Sequence, residues 1–197
     1  MDTNKGIFTS EIVSNGVYIY TNDHKFIDPK FWGLYEQEEK TICAVIVNNG
    51  NALFVYPKDM YGEHTPLLNF GQQQTGEQIP TIEAALKDYD GEENTKALSD
   101  AGSEIAKEIL ILTMGERKWH IPALGELQLM HENKEMLDAT LAISGNEPLL
   151  DSWYWSSTRR SYNSNFVFDW SDDGRSSIDQ YYIDRVRPVS ASSLSSL

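Results

Sequence analysis

A chain of 197 residues, 40% of them hydrophobic, is long enough to bury one sizeable core or two small ones, which excludes a globally disordered protein. Its formal net charge of −14 would repel phosphate groups, so nucleic acids and anionic membranes are excluded as the main partner. Cys43 is the only cysteine of the sequence, which excludes an intrachain disulfide, and its apolar neighbours predict a buried, unreactive thiol.

The amino terminus lacks the charged and then apolar pattern of a secretory signal peptide, and no apolar run reaches the length of a membrane span. We therefore expect a protein that is synthesised in the cytoplasm without a signal peptide and does not insert into a membrane. Association with a virion is compatible with this expectation.

The amino-terminal part of the chain is predicted to be rich in β-strands. Residues 16–20 are aromatic and β-branched, and residues 41–47 and 52–56 form two apolar runs. The Asn-Gly pair at Asn49 and Gly50 lies between these two runs and predicts a tight hairpin, because such turns need positive φ angles. Residues 60–80, rich in Gly, Gln, Thr and Pro, are predicted to form an irregular loop.

Two helical regions are predicted in the middle of the chain. The first covers residues 95–113, with Asn94 as the N-cap and Gly115 at the end. Its apolar residues recur at helical spacing: Ala97, Leu98, Ala101, Ile105, Ile109 and Leu112. The second region starts after Pro122, and its apolar pattern continues until Gly145.

After Pro148 the pattern returns to strands. Apolar residues alternate along one of them, with Phe166, Phe168 and Trp170 predicted inside and Val167 and Asp169 predicted outside. Residues 172–174 predict a turn, residues 181–189 a closing strand, and residues 192–197 a frayed tail.

Residues 159–184 consist mainly of Arg, Ser, Tyr, Asn, Asp, Gly and Trp. Tyr and Trp give large contact areas at a low entropy cost, Ser and Asn adapt their hydrogen bonds, and Arg anchors a partner, so this composition is typical of binding surfaces. We predict a recognition surface here; a polar antiparallel sheet without a ligand is the alternative. The predicted ligand-binding residues are Arg159, Arg160, Tyr162, Asn163, Asp169, Asp173, Arg175, Ser177, Asp179, Tyr181 and Tyr182.

Three motifs carry a resemblance to a known group of proteins. They are residues 119–127, which read Trp-His-Ile-Pro-Ala-Leu-Gly-Glu-Leu, residues 154–158, Tyr-Trp-Ser-Ser-Thr, and residues 185–189, Arg-Val-Arg-Pro-Val, accompanied by Glu92, Asn94 and Thr95. In this order they resemble the C-type-lectin-fold domains of bacterial and phage proteins. Ala123 departs from the pattern, since a helix-capping Ser is usual there.

The resemblance implies an α+β fold, with two helices packed on a twisted antiparallel sheet and an amino-terminal β-rich extension. It implies a single domain over residues 1–197, with the β-rich part at 1–75 and the lectin-like core at 76–191. The polar run resembles the variable region of proteins diversified by diversity-generating retroelements, which implies a variable segment at 155–189. Such a protein would bind a protein or glycan target on a cell surface, and a homo-oligomer remains open.

Neither an enzyme nor a metal site is predicted. The same superfold hosts formylglycine-generating enzymes, but these use a pair of cysteines, which the single Cys43 does not supply. We expect no catalytic residue and no cofactor, because the sequence has no nucleophile elbow and no phosphate-binding glycine loop. The histidines show no zinc-ligand spacing. The acidic residues at 88–92, and Asp169 with 172–173, are weighed as calcium ligands, but acidic turns are the expected interpretation.

Two structural roles are also predicted. Arg185 and Arg187 point the same way along a strand and are expected to pair with acids such as Glu126, although an anionic ligand is the alternative. The buried anchors are expected to be Trp119, Leu127, Trp155, Phe168 and Val186. The predicted function is therefore non-catalytic ligand binding, with a structural or assembly subunit of a phage or surface appendage as the main alternative.

Overall fold

The computed structural model describes residues 5–35, 40–60 and 66–197. The strands are β1 (Ile7–Phe8), β2 (Gly16–Thr21), β3 (Phe26–Ile27), β4 (Thr41–Asn48), β5 (Asn51–Val55), β6 (Trp153–Arg159), β7 (Ser164–Asp169), β8 (Gly174–Asp179) and β9 (Val189–Ser193). The α-helices are α1 (Ile82–Ala85), α2 (Gly91–Asp100), α3 (Glu104–Leu110), α4 (Leu124–Glu132) and α5 (Lys134–Ile143). The chain is therefore an α+β protein with antiparallel sheets, as predicted.

The chain divides into two compact units that each combine separate stretches of sequence. The first unit comprises Met1–Lys58, Asn133–Pro148 and Ser190–Leu197, and the second comprises Asp59–Glu132 and Leu149–Val189. The predicted subdivision at residue 75 does not follow these units. No helix among the described residues combines the length and the apolar character needed to cross a membrane.

The first unit is built on a six-stranded sheet in the order β1-β3-β2-β4-β5-β9, and α5 packs against β2 and β4. The hairpin between β4 and β5 is confirmed, since its turn residues Asn49 and Gly50 have φ angles of 49° and 79°. β4 is buried along almost its whole length, which explains its continuous apolar run. Cys43 lies within this strand and is buried, as predicted.

The second unit contains a three-stranded sheet in the order β6-β7-β8. Helices α2 and α4 pack against β6, and α4 also packs against β7. The five predicted anchors are confirmed as fully buried: Trp119, Leu127, Trp155, Phe168 and Val186. The prediction for Val167 is wrong, because this side chain is buried as well. Both faces of β7 are therefore covered, whereas the alternating pattern predicted one solvent face.

The two predicted helical regions are each divided. Residues 95–113 form α2 and α3 instead of one helix, because Gly102 adopts a φ of 102° and the Ser103 hydroxyl caps α3 by accepting from the Ala106 amide at 3.2 Å. α2 also begins at Gly91, so Asn94 is not the N-cap. The second region is interrupted at Asn133 into α4 and α5, which belong to different units.

The carboxyl-terminal predictions need three corrections. Residues 181–188 form no strand in this described part of the chain. Arg185 and Val186 are single bridge residues, with Arg185 bridged to Tyr154, while Val189 begins β9 and is bridged to His120. The strand that completes the second sheet is β8, which lies earlier. The tail is not frayed, because β9 extends into it and Leu194–Ser196 form a 3-10 turn whose first amide donates to the Gly50 carbonyl at 2.9 Å.

A candidate binding site on the second unit

The predicted ligand-binding residues lie along β6–β8 and the adjoining turns, and they differ in exposure. Six are exposed: Arg160, Tyr162, Asn163, Asp173, Tyr181 and Tyr182. Four are partly buried: Asp169, Arg175, Ser177 and Asp179. Arg159 is buried. The antiparallel hairpin of β7 and β8 separates these residues into two groups, because Asp169 pairs with Gly174 at one end and Ser164 with Asp179 at the other.

Arg159, predicted as a ligand-binding residue, is buried and does not belong to a solvent-facing surface. Its guanidinium donates hydrogen bonds to the carbonyl oxygens of Ser161 at 2.9 Å, Gly76 at 3.0 Å and Tyr162 at 3.5 Å. The guanidinium group is planar and carries five N–H donors, so a buried arginine can hold several backbone carbonyl groups in place at once. Arg159 therefore shapes the turn that presents Tyr162.

At the 170–173 turn, the polar residues attach the hairpin to α4. The Asp173 carboxylate lies 3.0 Å from His131 Nδ1 and 2.7 Å from Arg175 Nη2. Arg175 also donates from Nε to Gln128 Oε1 at 2.9 Å, and its guanidinium lies 5.1 Å from the centre of the Phe168 ring. These contacts within the chain indicate that Asp173 and Arg175 stabilise the fold.

Five further predicted residues also have hydrogen-bond partners in or beside the hairpin. Arg160 Nη1 donates to Ser177 Oγ at 2.5 Å, and the Tyr181 hydroxyl donates to Asp179 Oδ2 at 2.6 Å. This carboxylate raises the pKa of Tyr181, so the phenol stays neutral. Asp169 Oδ1 accepts from the backbone and hydroxyl groups of the serine two positions later, at 2.9 and 2.6 Å.

The other end of the hairpin borders a pocket of about 250 Å³. We call it the aromatic pocket, and its lining residues are Leu68, Asn69, Phe70, Gly71, Gln72, Gln73, Tyr162, Asn163, Gln180 and Tyr181. Phe70 is 89% exposed and Tyr162 63% exposed. The Phe70 and Tyr181 ring centres lie 6.0 Å apart in an edge-to-face arrangement, and Tyr182 stacks on Tyr181 at 5.2 Å.

A buried network of side-chain amides supports this pocket. Gln180 Nε2 donates to Asn165 Oδ1 at 2.7 Å, and Asn165 Nδ2 donates to Gln74 Oε1 at 3.1 Å and to the Ser157 carbonyl at 3.0 Å. Gln74 Nε2 also donates to the Ser157 carbonyl, at 3.2 Å. Buried amides that bond to one another and to the backbone hold a single arrangement.

The backbone of Gln180 connects the parts of the pocket wall. Its carbonyl accepts from the Leu68 amide at 3.1 Å, and its own amide donates to the Asn163 carbonyl at 2.9 Å. Sequence analysis assigned residues 60–80 to an irregular loop, and the described residues among them, 60 and 66–80, have no helix or strand; residues 61–65 lie outside the described residues. The composition of this loop did not predict that it supplies six of the ten residues that line the pocket. The available signal was a single aromatic residue, Phe70, within an Asn- and Gln-rich run.

The two arginines of the closing motif have a structural role, but Glu126 is not their partner. Arg187 Nε donates to Asp59 Oδ1 at 2.6 Å, and Arg185 Nη1 lies 3.7 Å from Asp59 Oδ2. The Tyr154 hydroxyl donates to the same carboxylate at 3.1 Å. Burial and the Asp59 charge raise the pKa of Tyr154. Asp59 therefore accepts hydrogen bonds from Arg187 and Tyr154, forms a longer ion pair with Arg185, and ties the closing motif to the start of the second unit.

Glu126 instead stabilises the start of α4. Its Oε2 accepts from the Ala123 amide at 2.8 Å, and its carboxylate lies 3.0 Å from His120 Nε2. In a capping box the third helix residue accepts from the backbone amide of the N-cap residue, and Glu126 does this for Ala123. The start of α4 therefore has a side-chain cap although Ala123 stands where a serine is usual. His120 and Glu126 are both buried.

The acidic run at 88–92 is also used inside the chain. Asp88 Oδ1 accepts from the Asp90 amide at 2.9 Å, and Asp88 Oδ2 accepts from Asn94 Nδ2 at 2.8 Å and from Thr158 Oγ1 at 2.7 Å. Within residues 5–35, 40–60 and 66–197, no group of three or more His, Cys, Asp or Glu side chains is placed to hold a metal ion.

Removal of divalent cations is expected to leave the melting temperature unchanged. The acids of the two candidate turns already accept hydrogen bonds from the protein, as Asp88 and Asp169 do. A thermal melt with and without EDTA checks this. A drop of several degrees that added calcium reverses would contradict it and assign a cation to these turns.

Asp184 is expected to make stability depend on pH. Burial raises the pKa of this carboxyl to about 6, so the folded state loses stability as the pH rises through about 6, whereas below about pH 4 the full stability is present. The Asp184→Asn variant should therefore be more stable at about pH 8 and unchanged at about pH 4. Because the group is partly solvated, we expect a gain of about 1 kcal/mol. Urea unfolding at both pH values measures it, and an equal gain at both would contradict it.

Comparison with known proteins shows a distant similarity of fold. No model of a protein family and no curated protein matches the chain. Among solved structures the chain is similar to a fimbrial protein from Bacteroides ovatus, with a TM-score of 0.60 and 14% sequence identity. The similarity covers 90% of this chain and 48% of the fimbrial protein, so the chain spans about half of that protein's length. At this identity the likeness concerns the fold alone.

Proposed function

We propose that the chain is a non-catalytic binding protein that recognises a protein or glycan on a cell surface through the aromatic pocket. The observation that carries the proposal is the group of exposed rings of Phe70, Tyr162 and Tyr181 around one pocket. Large exposed apolar groups that lie together mark interaction sites more often than single ones do. Aromatic residues also supply much of the affinity at protein interfaces.

The rigidity of the support favours the same proposal. Gln180 and Asn165 are buried and hydrogen-bonded beneath the pocket, and Arg159 fixes the turn that carries Tyr162. A ligand would therefore meet side chains on an ordered backbone. Less entropy is lost on binding to such a surface than to a mobile loop.

We further infer that the second unit is a C-type-lectin-like domain with a variable segment at 155–189. The buried state of Ser156, Ser157 and Thr158, contrasted with the exposure of Tyr162 and Tyr182, supports a fixed frame with replaceable side chains. Sequencing the neighbouring DNA tests this inference. A reverse transcriptase gene and a near-repeat of the codons for residues 155–189 are expected, with differences confined to codons of exposed residues.

Replacing Phe70, Tyr162 and Tyr181 together with alanine is expected to abolish adhesion. Each ring is a candidate anchor worth about tenfold or more in affinity, whereas the substitution of an exposed side chain usually changes stability by about 0.5 kcal/mol or less. Fluorescent beads coated with the full chain, applied to a panel of bacterial and animal cells, provide the measurement. Thermal melting of the same variant checks that it folds.

The matched control is Tyr89→Ala, which removes a tyrosine that is 54% exposed but lies outside the pocket lining. Adhesion of this variant should equal that of the unmodified chain. If the triple variant folds and adheres as well as the control, the aromatic pocket is not the binding site. If the triple variant unfolds, the three single alanine variants test whether the aromatic pocket is the binding site, since each removes only one exposed ring.

A second candidate function is that of a subunit of a surface appendage, and the similarity to a fimbrial protein favours it. In that case the exposed rings would pack against neighbouring subunits. Alanine at Tyr181 and Tyr182 would then reduce incorporation into the appendage, measured by immunogold labelling. Normal incorporation with lost adhesion supports target binding instead.

A further inference from the structure

We propose that the aromatic pocket binds a neutral saccharide ring by stacking and by hydrogen bonds to side-chain amides, without a metal ion. This inference rests on the proposed binding function and names the ligand class of the same site. It is carried by the chemistry of the lining, by the lining side chains that bond to no other described residue, and by the size of the pocket.

Among the residues that the structure describes, the pocket lining includes no charged side chain. Its polar side chains are five amides and two tyrosines, namely Asn69, Gln72, Gln73, Asn163, Gln180, Tyr162 and Tyr181. A charged ligand would lose hydration there without gaining an opposite charge, which is unfavourable. The adjacent Asp179 carboxylate and the net charge of −14 additionally disfavour sialylated or sulfated sugars. The lining therefore selects an uncharged ligand.

The rings provide the stacking surface. Phe70, Tyr162 and Tyr181 contribute to one pocket, and Phe70 and Tyr162 are more than half exposed. The face of an aromatic ring carries partial negative charge, which attracts the polarised C–H groups on the face of a sugar ring. Because the Tyr181 hydroxyl is held by Asp179 at 2.6 Å, the orientation of this ring is fixed before a ligand arrives.

Three amides are free to bind hydroxyl groups. The side chains of Asn69, Gln73 and Asn163 make no hydrogen bond to another residue in the described part of the chain, whereas those of Gln72 and Gln180 do. Each amide offers donors and an acceptor. A sugar hydroxyl also donates and accepts, so neighbouring hydroxyls can pair with both ends of one amide.

The size of the pocket limits the ligand to one ring. Pockets for drug-sized molecules have volumes of roughly 300–1,000 Å³, and the aromatic pocket has about 250 Å³. A single hexose ring or a single side chain fits this volume. The free amides favour the sugar, because an apolar side chain would leave their donors and acceptors without partners.

The test is an array of oligosaccharides probed with the fluorescently labelled full chain in EDTA. The neutral probes end in glucose, galactose, mannose, fucose or N-acetylglucosamine, and the acidic probes are sialylated or sulfated. We expect binding to at least one neutral probe, retained in EDTA and weakened about tenfold in Tyr162→Ala and in Asn163→Ala. The Tyr89→Ala control should bind normally.

Absence of binding to every neutral probe, preference for acidic probes, or loss of binding in EDTA each overturns the inference. Treating the cells of the adhesion assay with periodate, which cleaves sugar diols, separates this failure from that of the proposed function. Adhesion that survives periodate but depends on Phe70, Tyr162 and Tyr181 leaves target binding intact and overturns only the saccharide. Adhesion that is independent of these residues overturns both.

Discussion

Replacing Arg187 with alanine is expected to lower the free energy of unfolding by about 3–5 kcal/mol, because removing one member of a buried ion pair leaves the other charge without compensation. The Arg187 side chain is only 1% exposed and that of Asp59 11% exposed, with 2.6 Å between Arg187 Nε and Asp59 Oδ1. Arg185 and the Tyr154 hydroxyl remain near the carboxylate, but Arg185 lies at 3.7 Å. Urea unfolding measures the loss.

The control for charge alone is Arg160→Ala, since Arg160 is exposed and should contribute about 0.5 kcal/mol or less. Neutralising both partners of the buried pair, in the Asp59→Asn, Arg187→Met double variant, should recover part of the loss, because the Asp59 carboxylate is no longer left charged without Arg187. The recovery should be partial, since Arg185 then loses the carboxylate at 3.7 Å. A single Arg187→Ala variant as stable as Arg160→Ala would show that Asp59 is compensated by its other partners.

Replacing Gly125 with alanine is expected to destabilise the chain by about 3 kcal/mol. A Cβ at this position would lie 2.5 Å from the Asp88 carbonyl oxygen and 2.9 Å from that of Leu86. Both neighbours are backbone atoms, so relief requires the start of α4 to move, and overpacking of this kind costs about 1–3 kcal/mol. The shift would also disturb the hydrogen bond from the Gly125 amide to the Asp88 carbonyl, at 3.1 Å.

Gly33→Ala is the matched control, because a Cβ there would have no atom of another described residue within 4 Å apart from its own neighbours along the chain. Replacing a glycine in open space reduces the entropy of the unfolded chain, so this variant should be unchanged or slightly more stable. Thermal and urea unfolding of both variants provide the comparison. Equal stability of the two variants would contradict the close approach at Gly125.

The features that could be predicted from the sequence are those set by local patterns. The Asn49–Gly50 turn could be predicted because these two residue types readily adopt the positive φ angles that a tight turn needs. The burial of Trp155 and Phe168 follows from their large apolar side chains in short strands. The break between α2 and α3 could also have been predicted, because a glycine followed by a serine is a common helix end and helix start, as at Gly102 and Ser103. The apolar spacing was continuous across this pair, however, and outweighed it.

The features that could not be predicted depend on contacts between distant parts of the chain. Asp59 and Arg187 pair in space although they lie near opposite ends of the sequence of the second unit. The residues around Arg187 in the sequence do not indicate Asp59 as its partner. The aromatic pocket likewise combines Phe70 with Tyr162 and Tyr181 from separate segments. Residue type alone did not distinguish exposed Arg160 from buried Arg159, because arginine suits both a surface and a set of inward-facing carbonyls.

The pairing of β9 with β5 has a consequence for the order of folding. All residues of the second unit follow β5 in the sequence and precede Ser190, the second residue of β9. During synthesis the second unit can therefore fold while the outer edge of β5 has no partner. Such an edge can pair with another chain, and pairing between distant strands is slow. Aggregation of nascent chains should therefore arise at β5, and adding the β9 segment as a separate peptide should suppress it.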